Sequence, residues 1–351
     1  MNHRIHKLRQ RLQQEHLDAM LVSQEESRRY LSGFTGSAGF ILITQGDCFL
    51  ATDFRYIEQA KSQTPDFDIV HISVGLSKWL PELLSSTDIK TIGFEADDIS
   101  FAAYRELAKA IGKRQLAPTE RLVESLRAVK DDDELKFVTK AVEISDAAFE
   151  EVSSILRPGM TESEAAWSFE KAMRERGSES MPFDIIVASG PNAALPHHRP
   201  GDRVLQAGEP VIIDMGARVN GYVSDLSRTI WLGEKQGKKF GKIYDLVLGA
   251  QLTAIATIAA GMSGELADSL GRTVIEQGGH ADEFGHGLGH GVGLAPHELP
   301  RLGKGSTDTL EDGMVFTVEP GIYINGWGGV RIEDVVVLEQ GRARVLSNSK
   351  K

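Results

Sequence analysis

The sequence predicts an α+β protein in which a smaller α/β domain precedes a larger domain. Short apolar runs alternate with helical patterns through about the first 120 of the 351 residues. In residues 134–344, a pair of helical segments followed by several β-branched runs occurs twice. That order does not fit a doubly wound parallel sheet, and a chain of this length is too long for one small core.

The N-terminal domain is assigned to residues 1–120. Ile5, Leu8 and Leu12 recur at helical spacing among polar residues and predict an opening helix. The runs LDAMLVS, GFILIT, CFLAT and TIGFEA predict short strands, and residues 100–112 predict a helix. Residues 121–133 are predicted to be a solvated linker, because periodicity is lost there and the segment ends in three consecutive aspartates.

The larger domain is assigned to residues 134–351. It opens with a long amphipathic helix, and the capping box Thr161-x-x-Glu164 predicts the start of a second helix. Two further helical segments are predicted at 238–260 and 263–278. The runs FDIIVAS, PVIIDMGARVNGYVSDLSRTIWL, MVFTVEPGIYI and GGVRIEDVVVL predict the strands.

Composition and charge exclude several classes of protein. A net charge of −11 argues against sequence-independent nucleic-acid binding, and no apolar run reaches the length of a membrane span. The single cysteine, Cys48, excludes an intrachain disulfide and is predicted to be a buried, inert thiol. The opening MNHRIHKLRQRLQQEHLD lacks the apolar region of a secretory signal. We therefore expect a cytoplasmic protein without a membrane or nucleic-acid partner.

Several carboxylates lie within or directly after apolar β-branched runs, where a charge is costly. Two predicted hairpins, each with an Asn-Gly turn, should bring them together. Asp214 and Asp225 fall roughly opposite one another across the first turn, and Glu319 and Glu333 across the second. A single buried acid is more often an ion-pair or hydrogen-bond partner, but several acids converging with a histidine indicate a metal site.

This composition suits two hard or borderline divalent cations such as Mn, Co or Zn. Four carboxylates contribute a charge of −4 and two divalent ions +4, which leaves a cluster that is close to neutral. One ion alone would leave the carboxylates repelling each other.

The stretch GHGLGHGVGLAPHE contains three histidines, His286, His290 and His297. It is open to three interpretations: a phosphate-binding loop, a metal site, or a tight turn with structural histidines. No Gly-Lys-Ser/Thr ending is present, and no GxGxxG follows a strand and opens a helix, so a phosphate loop is poorly supported. The buried acids favour a metal ligand at one of the three histidines.

The segments IIDMGARVNGYVSDLSRT, GHGLGHGVGLAPHELPR, TVEPGIY and VRIEDVV resemble the pita-bread metallopeptidases, the family of prolidase, aminopeptidase P and methionine aminopeptidase. This likeness covers about residues 130–344. The segments YLSGFTGSAGFILIT and ATDFRY resemble the creatinase/prolidase N-terminal domain, which methionine aminopeptidases generally lack. The resemblance implies a pita-bread catalytic domain, a peptide substrate, two divalent metal ions with Mn favoured, and a homodimer.

Carried over residue by residue, the resemblance implies five metal ligands: Asp214, Asp225, His290, Glu319 and Glu333. Asp214 would hold one ion and His290 with Glu319 the other, while Asp225 and Glu333 bridge both. Glu319 would also shuttle a proton.

The resemblance also implies residues around the ligands. His297 and His197 would bind substrate and stabilise the transition state, His286 would lie behind the ligands, and Arg331 would orient the bridging carboxylates. Arg301 in HELPR matches prolidase-like members. It would bind the free carboxylate of a dipeptide, or it is an ordinary surface residue after a proline turn.

Other polar residues have structural interpretations. We expect His198 to be a solvent or packing residue and Asp334 to face the opposite side of its strand from Glu333. Asp53 and Arg55 are expected to form a structural pair.

The function predicted is dinuclear-metal hydrolysis of the Xaa-Pro bond in dipeptides or short peptides. The alternatives are an aminopeptidase P acting on longer peptides, a methionine aminopeptidase, a metal-free creatinase-like hydrolase, and a non-catalytic binding module. The N-terminal domain disfavours methionine aminopeptidase, and the complete ligand set disfavours the last two.

Overall fold

The computed structural model describes residues 3–73, 76–85 and 87–351. The chain forms two compact units, Met1–Arg127 and Ala128–Lys351. Both contain helices and strands, so the predicted α+β class is confirmed. Within the described residues, no helix is both long enough and apolar enough to span a bilayer.

The first unit is built on one mixed six-stranded sheet in the order β4-β3-β2-β1-β5-β6. β1 pairs antiparallel with β2 and parallel with β5. The predicted opening helix is confirmed, with Ile5, Leu8 and Leu12 buried. The helices are α1 (His3–Gln14), α2 (Glu25–Ser32), α3 (Ile57–Gln63), α4 (Leu76–Leu84), α5 (Phe101–Ala110) and α6 (Leu122–Ala128). The strands are β1 (Ala19–Val22), β2 (Phe40–Thr44), β3 (Cys48–Thr52), β4 (Asp68–His71), β5 (Thr91–Glu95) and β6 (Gln115–Thr119).

The stretch 121–133, which we expected to be an irregular linker, is partly helical because it contains α6. Its acidic end has a local structural role. Asp131 is the N-cap of the next helix, accepts hydrogen bonds from the backbone N–H groups of Asp133 and Glu134, and forms a capping box with Glu134. The first turn of that helix is acidic, which suits the positive end of the helix dipole.

The second unit contains two helix pairs, each followed along the chain by a sheet. The first pair is α7 (Asp132–Ser153) and α8 (Glu162–Glu175), and the second is α9 (Lys238–Thr257) and α10 (Gly264–Gln277). The predicted capping box at Thr161 is present and starts α8.

Strands β7, β8 and β11 form a three-stranded sheet, and β13, β12, β14, β17 and β18 form a five-stranded one. Two hairpins, β9 with β10 and β15 with β16, complete the unit. The strands are β7 (Ile186–Ser189), β8 (Glu209–Met215), β9 (Arg218–Val219), β10 (Tyr222–Val223), β11 (Leu226–Leu232), β12 (Gly289–Gly291), β13 (Glu298–Leu302), β14 (Val315–Val318), β15 (Gly321–Ile324), β16 (Gly328–Arg331), β17 (Asp334–Glu339) and β18 (Arg342–Val345).

Each helix pair packs its apolar face on its own sheet. Phe149 and Phe169 of the first pair lie in one buried cluster with Val211 and Ile213 of β8. The second pair forms a separate cluster with β14, β16 and β17. Burial of apolar surface between helices and strands stabilises both halves of the unit.

Candidate metal centre

Asp214 and Asp225 come from the three-stranded sheet. Asp214 lies in β8, and Asp225 directly precedes β11. The register pairs Asp214 with Ser227, so Asp225 is a diagonal neighbour, two residues before the direct partner of Asp214. The expectation that these two acids lie opposite one another is therefore wrong by two residues. Residues two apart on a strand share a face, so both carboxylates still face the same side.

The register follows from the hairpin turn. Asn220 and Gly221 both have positive φ values, 45° and 78°, and form a two-residue turn between β9 and β10. Counting outward from these two central residues brings Ser227, not Asp225, opposite Asp214.

Glu319 and Glu333 do lie opposite one another. The β14–β17 ladder ends at the pair Val318 and Asp334, and the β15–β16 ladder begins at Gly321 and Arg331. Glu319 and Glu333 occupy the facing positions between these ladders. The second hairpin therefore has the predicted register.

The two pairs of acids converge with His290. Asp225, His290 and Glu333 each offer a ligand atom, and these atoms lie within 4.8 Å of one another. The Nε2 atom of His290 is 3.3 Å from Oε1 of Glu319 and 3.8 Å from Oδ2 of Asp225. Three carboxylates thus lie close to the imidazole of His290, and the nearby carboxylate of Asp214 acts electrostatically on Asp225 and Glu333. Four carboxylates and one imidazole nitrogen are a donor set that suits divalent metal ions.

Glycines place His290 in this volume. His290 is the middle residue of β12, between Gly289 and Gly291. A Cβ at Gly289 would overlap the carbonyl oxygen of Thr317, and one at Gly291 would overlap that of Leu299. Only glycine permits this approach on both sides, so close strand packing on either side of His290 explains the glycines that flank it.

The carboxylates are held where their charges are unfavourable. Burial raises the pKa of both Asp225 and Glu333 well above the usual range, and neighbouring carboxylates raise it further. Burial also raises the pKa of Asp214, although Arg331 opposes the shift. Among the described residues, Oδ1 of Asp214 is buried without a hydrogen-bond partner. An acidic cluster with an open acceptor fits bound divalent cations, which supply the missing positive charge.

Glu319 behaves differently from the other acids. Burial would raise its pKa, but the hydrogen bond with His290 and the charge of that histidine lower it to about 2. The same contact raises the pKa of His290 despite burial. Glu319 is therefore held as a carboxylate.

Arg331 organises the side of the centre next to Asp214. Its Nη2 donates to Oδ2 of Asp214 at 2.6 Å, its Nε to Oγ of Ser227 at 2.7 Å, and its Nη1 to the hydroxyl of Tyr323 at 3.0 Å. Arg331 therefore donates a hydrogen bond to the carboxylate of Asp214. We had expected it to orient the bridging carboxylates of Asp225 and Glu333 instead.

His286 continues this network. Its Nδ1 is 2.7 Å from the carbonyl oxygen of Gly287, and its Nε2 is 2.8 Å from the hydroxyl of Tyr323. Burial lowers the pKa of His286, which favours the neutral ring. Because a carbonyl only accepts, the proton of the neutral ring is on Nδ1, and Nε2 accepts from Tyr323.

Three residues of the site were missed at the sequence level: Ser227, Thr317 and Tyr323. Strand alternation places Tyr323 on the same face as Glu319, four residues earlier, and that signal was available. The sequence around Ser227 and Thr317 gives no comparable signal. Ser227 reaches the site through the β8–β11 register, and Thr317 through the packing of β12 against β14. The hydroxyl of Thr317 accepts from the backbone N–H of His290 at 3.1 Å.

The remaining predicted site residues, His297, His197 and Arg301, are exposed. The rings of His290 and His297 are 4.2 Å apart between centroids. Partial desolvation of the His297 ring and the neighbouring His290 lower the pKa of His297. The carbonyl oxygen of Pro196, the residue before His197, accepts from Nη1 of Arg331 at 3.3 Å, which places His197 near the centre. Arg301 is exposed in β13, directly opposite His290 in the register.

Three residues given structural interpretations have defined partners. Asp334 forms a buried ion pair with Arg228 at 2.8 Å, and Asp53 pairs with Arg55 at 2.7 Å. His198 is not simply a solvent or packing residue, because its Nε2 is 2.8 Å from Oε2 of the buried Glu162.

Cys48 is half-buried rather than buried. Burial raises the pKa of its thiol, and Nη2 of Arg9 lies 3.4 Å from its sulfur.

Comparison with known proteins agrees with this architecture. The model of metallopeptidase family M24 matches residues 136–340, and that of the Creatinase/Prolidase N-terminal domain matches residues 4–129. An uncharacterized peptidase of Bacillus subtilis is 39% identical over 348 residues, covering 99% of this chain and 98% of the relative.

Two solved structures are similar over almost the full length. The Xaa-Pro dipeptidase from Bacillus anthracis has a TM-score of 0.96 and 42% identity, with 99% of this chain and 98% of that chain covered. The X-Pro aminopeptidase from Thermotoga maritima has a TM-score of 0.91 and 38% identity, with the same coverage.

The acid and histidine cluster, set in a domain of two helix pairs and their sheets, defines a metallopeptidase with the pita-bread fold. The chain belongs to metallopeptidase family M24, and it carries the Creatinase/Prolidase N-terminal domain in front of the catalytic domain.

Proposed function

We propose that this metallopeptidase hydrolyses the Xaa-Pro bond of dipeptides or short peptides with two divalent ions bound. The observation that carries the proposal is the convergence of Asp225, Glu319 and Glu333 on His290, with Asp214 acting electrostatically on the same carboxylates. The similar protein from Bacillus anthracis is an Xaa-Pro dipeptidase, which supports this choice of substrate.

The proposed ligands are Asp214, Asp225, His290, Glu319 and Glu333. Asp214 would hold one ion, His290 and Glu319 the other, and Asp225 and Glu333 both. The oxygen-rich donor set favours Mn, with Co or Zn as alternatives. A cytoplasmic location and a homodimer stay predictions from the sequence and the family resemblance.

When bound, the ions lower the pKa of a shared water and polarise the scissile carbonyl group. Glu319 would accept a proton as the water oxygen attacks the carbonyl carbon. The same carboxyl would then donate that proton to the leaving nitrogen as the C–N bond breaks. His297 and His197, both exposed, would donate hydrogen bonds to the developing oxyanion and to the substrate.

Arg331, Tyr323 and His286 support this chemistry without contacting the reacting atoms. Arg331 fixes the carboxylate of Asp214, and Tyr323 links Arg331 to His286. Groups that orient ligands in this way tune both metal affinity and activity.

A second function, aminopeptidase P activity on longer Xaa-Pro-Yaa peptides, is favoured by one specific observation. The X-Pro aminopeptidase from Thermotoga maritima is 38% identical and is covered to the same extent as the dipeptidase. The two functions differ in whether the carboxylate of proline is free, and Arg301 is the proposed residue that recognises it.

The proposal is tested by removing and restoring metal. Purified protein is treated with a chelator, dialysed, and supplied separately with Mn, Co or Zn, and an Xaa-Pro dipeptide, an Xaa-Pro-Yaa tripeptide and a Met-Ala-Yaa tripeptide are assayed. We expect chelation to abolish cleavage of the Xaa-Pro substrates and Mn or Co to restore it. Full activity without metal, or cleavage of the Met-Ala-Yaa peptide alone, would contradict the proposal.

A further inference from the structure

A buried carboxylate outside the metal centre collects hydrogen bonds from one segment of the chain. Glu162 is the first residue of α8, and its side chain is 0% exposed. The capping of α8 uses the side chains of Thr161 and Glu164, so it does not account for this buried acid.

Within the described part of the chain, four residues donate to Glu162, and all of them lie in the segment from Ser189 to Gly201. Oε1 accepts from the N–H of Ser189 at 2.8 Å, from its hydroxyl at 2.7 Å, and from the amide of Asn192 at 3.0 Å. Oε2 accepts from His198 at 2.8 Å and from the N–H of Gly201 at 3.4 Å. One carboxylate therefore fixes the start, the middle and the end of this segment. Burial alone would raise the pKa of Glu162, but the bonds from Ser189 and His198 lower it.

The opposite side of the segment packs on the strand that leads to Arg331. A Cβ at Gly328 would lie 2.8 Å from the carbonyl oxygen of Gly190, and one at Gly329 would overlap that of Ala193. The carbonyl oxygen of Pro196 accepts from Nη1 of Arg331 at 3.3 Å. The segment is thus held between the buried acid and a residue of the metal centre.

His197 lies between these two attachments. Pro196 before it is bonded to Arg331, and His198 after it is bonded to Glu162. The bond from Pro196 to Arg331 brings the backbone next to His197 to the metal centre, and His197 itself is exposed. An exposed histidine is useful in catalysis only if its backbone is fixed, because small displacements of a hydrogen-bond donor are costly to the rate.

We propose that Glu162, acting with His198, is a positioning residue that holds His197 at the substrate. It contacts neither a metal ligand nor the reacting atoms, and it acts through the backbone of residues 189–201. This inference rests on the proposed function, because it assigns a purpose to His197 in that reaction.

The test is a double-mutant cycle with hydrolysis of an Xaa-Pro dipeptide as the readout. Glu162→Gln keeps the shape of the side chain but replaces one acceptor oxygen with a donor that faces donors. We expect kcat to fall by about tenfold to a hundredfold with metal content unchanged. In a His197→Ala background, the same substitution should change kcat by less than about threefold, since no histidine remains to be positioned.

Glu95→Gln is the matched control. Glu95 is also a buried carboxylate that accepts two backbone N–H bonds, but it lies in the first unit and should leave kcat unchanged. If Glu162→Gln does not fold, His198→Ala removes one donor of the same network and should show a smaller effect with the same dependence on His197.

An equal loss of kcat in both backgrounds would overturn the inference. A wild-type kcat in either the Glu162→Gln or the His197→Ala protein would overturn it as well. Hydrogen exchange gives a readout that does not depend on activity. Amides within 189–201 should exchange faster in the Glu162→Gln protein than in the wild type, and unchanged exchange there would also overturn it. A wild-type protein without Xaa-Pro hydrolysis would instead refute the proposed function.

Discussion

The guanidinium of Arg331 and the carboxylate of Asp214 form a hydrogen-bonded ion pair, with Nη2 of Arg331 2.6 Å from Oδ2 of Asp214. Oδ1 of the same carboxylate is buried without a hydrogen-bond partner among the described residues. Oδ2 of Asp214 is thus fixed by Arg331, and Oδ1 remains available to bind a metal ion. This division explains how a buried aspartate keeps its orientation and still has an acceptor to offer.

Replacing Arg331 with lysine should weaken metal binding. Lysine keeps the charge but lacks the planar group that reaches Asp214, Ser227 and Tyr323 together. We expect an affinity loss of about tenfold to a hundredfold, as is typical when a group that orients a ligand is removed. Competition with a chromophoric chelator measures the change.

The control for this substitution is Arg344→Lys. Arg344 forms an ion pair with Glu339 at 2.7 Å, and both side chains are exposed, whereas the side chain of Arg331 is buried. Equal metal affinities for the Arg331→Lys protein and the control would show that the planar guanidinium of Arg331 has no role in metal binding.

Replacing His290 and His297 should separate metal binding from catalysis. His290→Ala removes a proposed ligand and should lose at least one metal ion together with activity. His297→Ala removes an exposed donor and should keep most of the metal. Its kcat should nevertheless fall by the equivalent of roughly 3–4 kcal/mol, the effect of losing an oxyanion donor.

Elemental analysis and the kinetics of the purified variants decide between these roles. His280→Ala provides a control, because His280 lies outside the centre, 3.8 Å from Glu283. A His297→Ala protein that has lost its metal would contradict the assignment.

The sequence was informative wherever local physics determined the outcome. Acids placed after β-branched runs indicated buried carboxylates. The hairpin predicted around Asn325-Gly326 does bring Glu319 opposite Glu333, because its loop has three residues, 325–327, between the paired Ile324 and Gly328. The predicted pairing of Asp214 with Asp225 in the first hairpin was wrong, because the turn is centred one residue later than expected. A shift of one residue in the centre of a turn moves the facing residue by two positions, here to Ser227.

Contacts between distant parts of the chain could not be predicted from local pattern. Glu162 and His198 are 36 residues apart, and nothing in the spacing of either residue indicates the other. Ser227 likewise meets Arg331 only because the hairpin of β16 packs against β11. Such contacts follow from how sheets and loops pack, which helical or strand periodicity does not encode.

Stability of the first unit should depend on pH through Glu95. Burial raises the pKa of this carboxyl to about 7, against an ordinary value of 4.5. The folded form therefore holds a proton that the unfolded chain has released, and stability falls as pH rises from 4.5 to 7. The contribution lost across this window is up to about 3 kcal/mol.

Glu95→Gln should remove this pH dependence, because glutamine keeps an acceptor oxygen for the N–H groups of Ser23 and Gln24 without a charge. Hydrogen exchange of β1 and β5 at pH 5 and pH 8 reports the local free energy of opening. Glu106→Gln, an exposed acid of α5, is the control. A wild type whose protection of β1 is equally strong at both pH values would refute the role of Glu95.

The last prediction concerns the length of the substrate and rests on Arg301. A dipeptidase must recognise the free carboxylate of proline, and a planar two-donor group suits this best. Arg301 is exposed and faces His290 across the β12–β13 pair, while its backbone is fixed by bonds to Asp308 and Ser306. Its side chain is therefore presented beside the metal centre from a fixed strand.

Arg301→Ala should raise KM for an Xaa-Pro dipeptide by about tenfold to a hundredfold, since a charge-assisted hydrogen bond contributes about 1.5–3 kcal/mol. The KM for an Xaa-Pro-Yaa tripeptide should change much less, because the carbonyl group of its proline is part of the next peptide bond and carries no charge. Arg342→Ala, an exposed arginine of β18, should leave both values unchanged. Equal effects of Arg301→Ala on the two substrates, or a wild-type preference for the tripeptide, would assign the protein to aminopeptidase P activity instead.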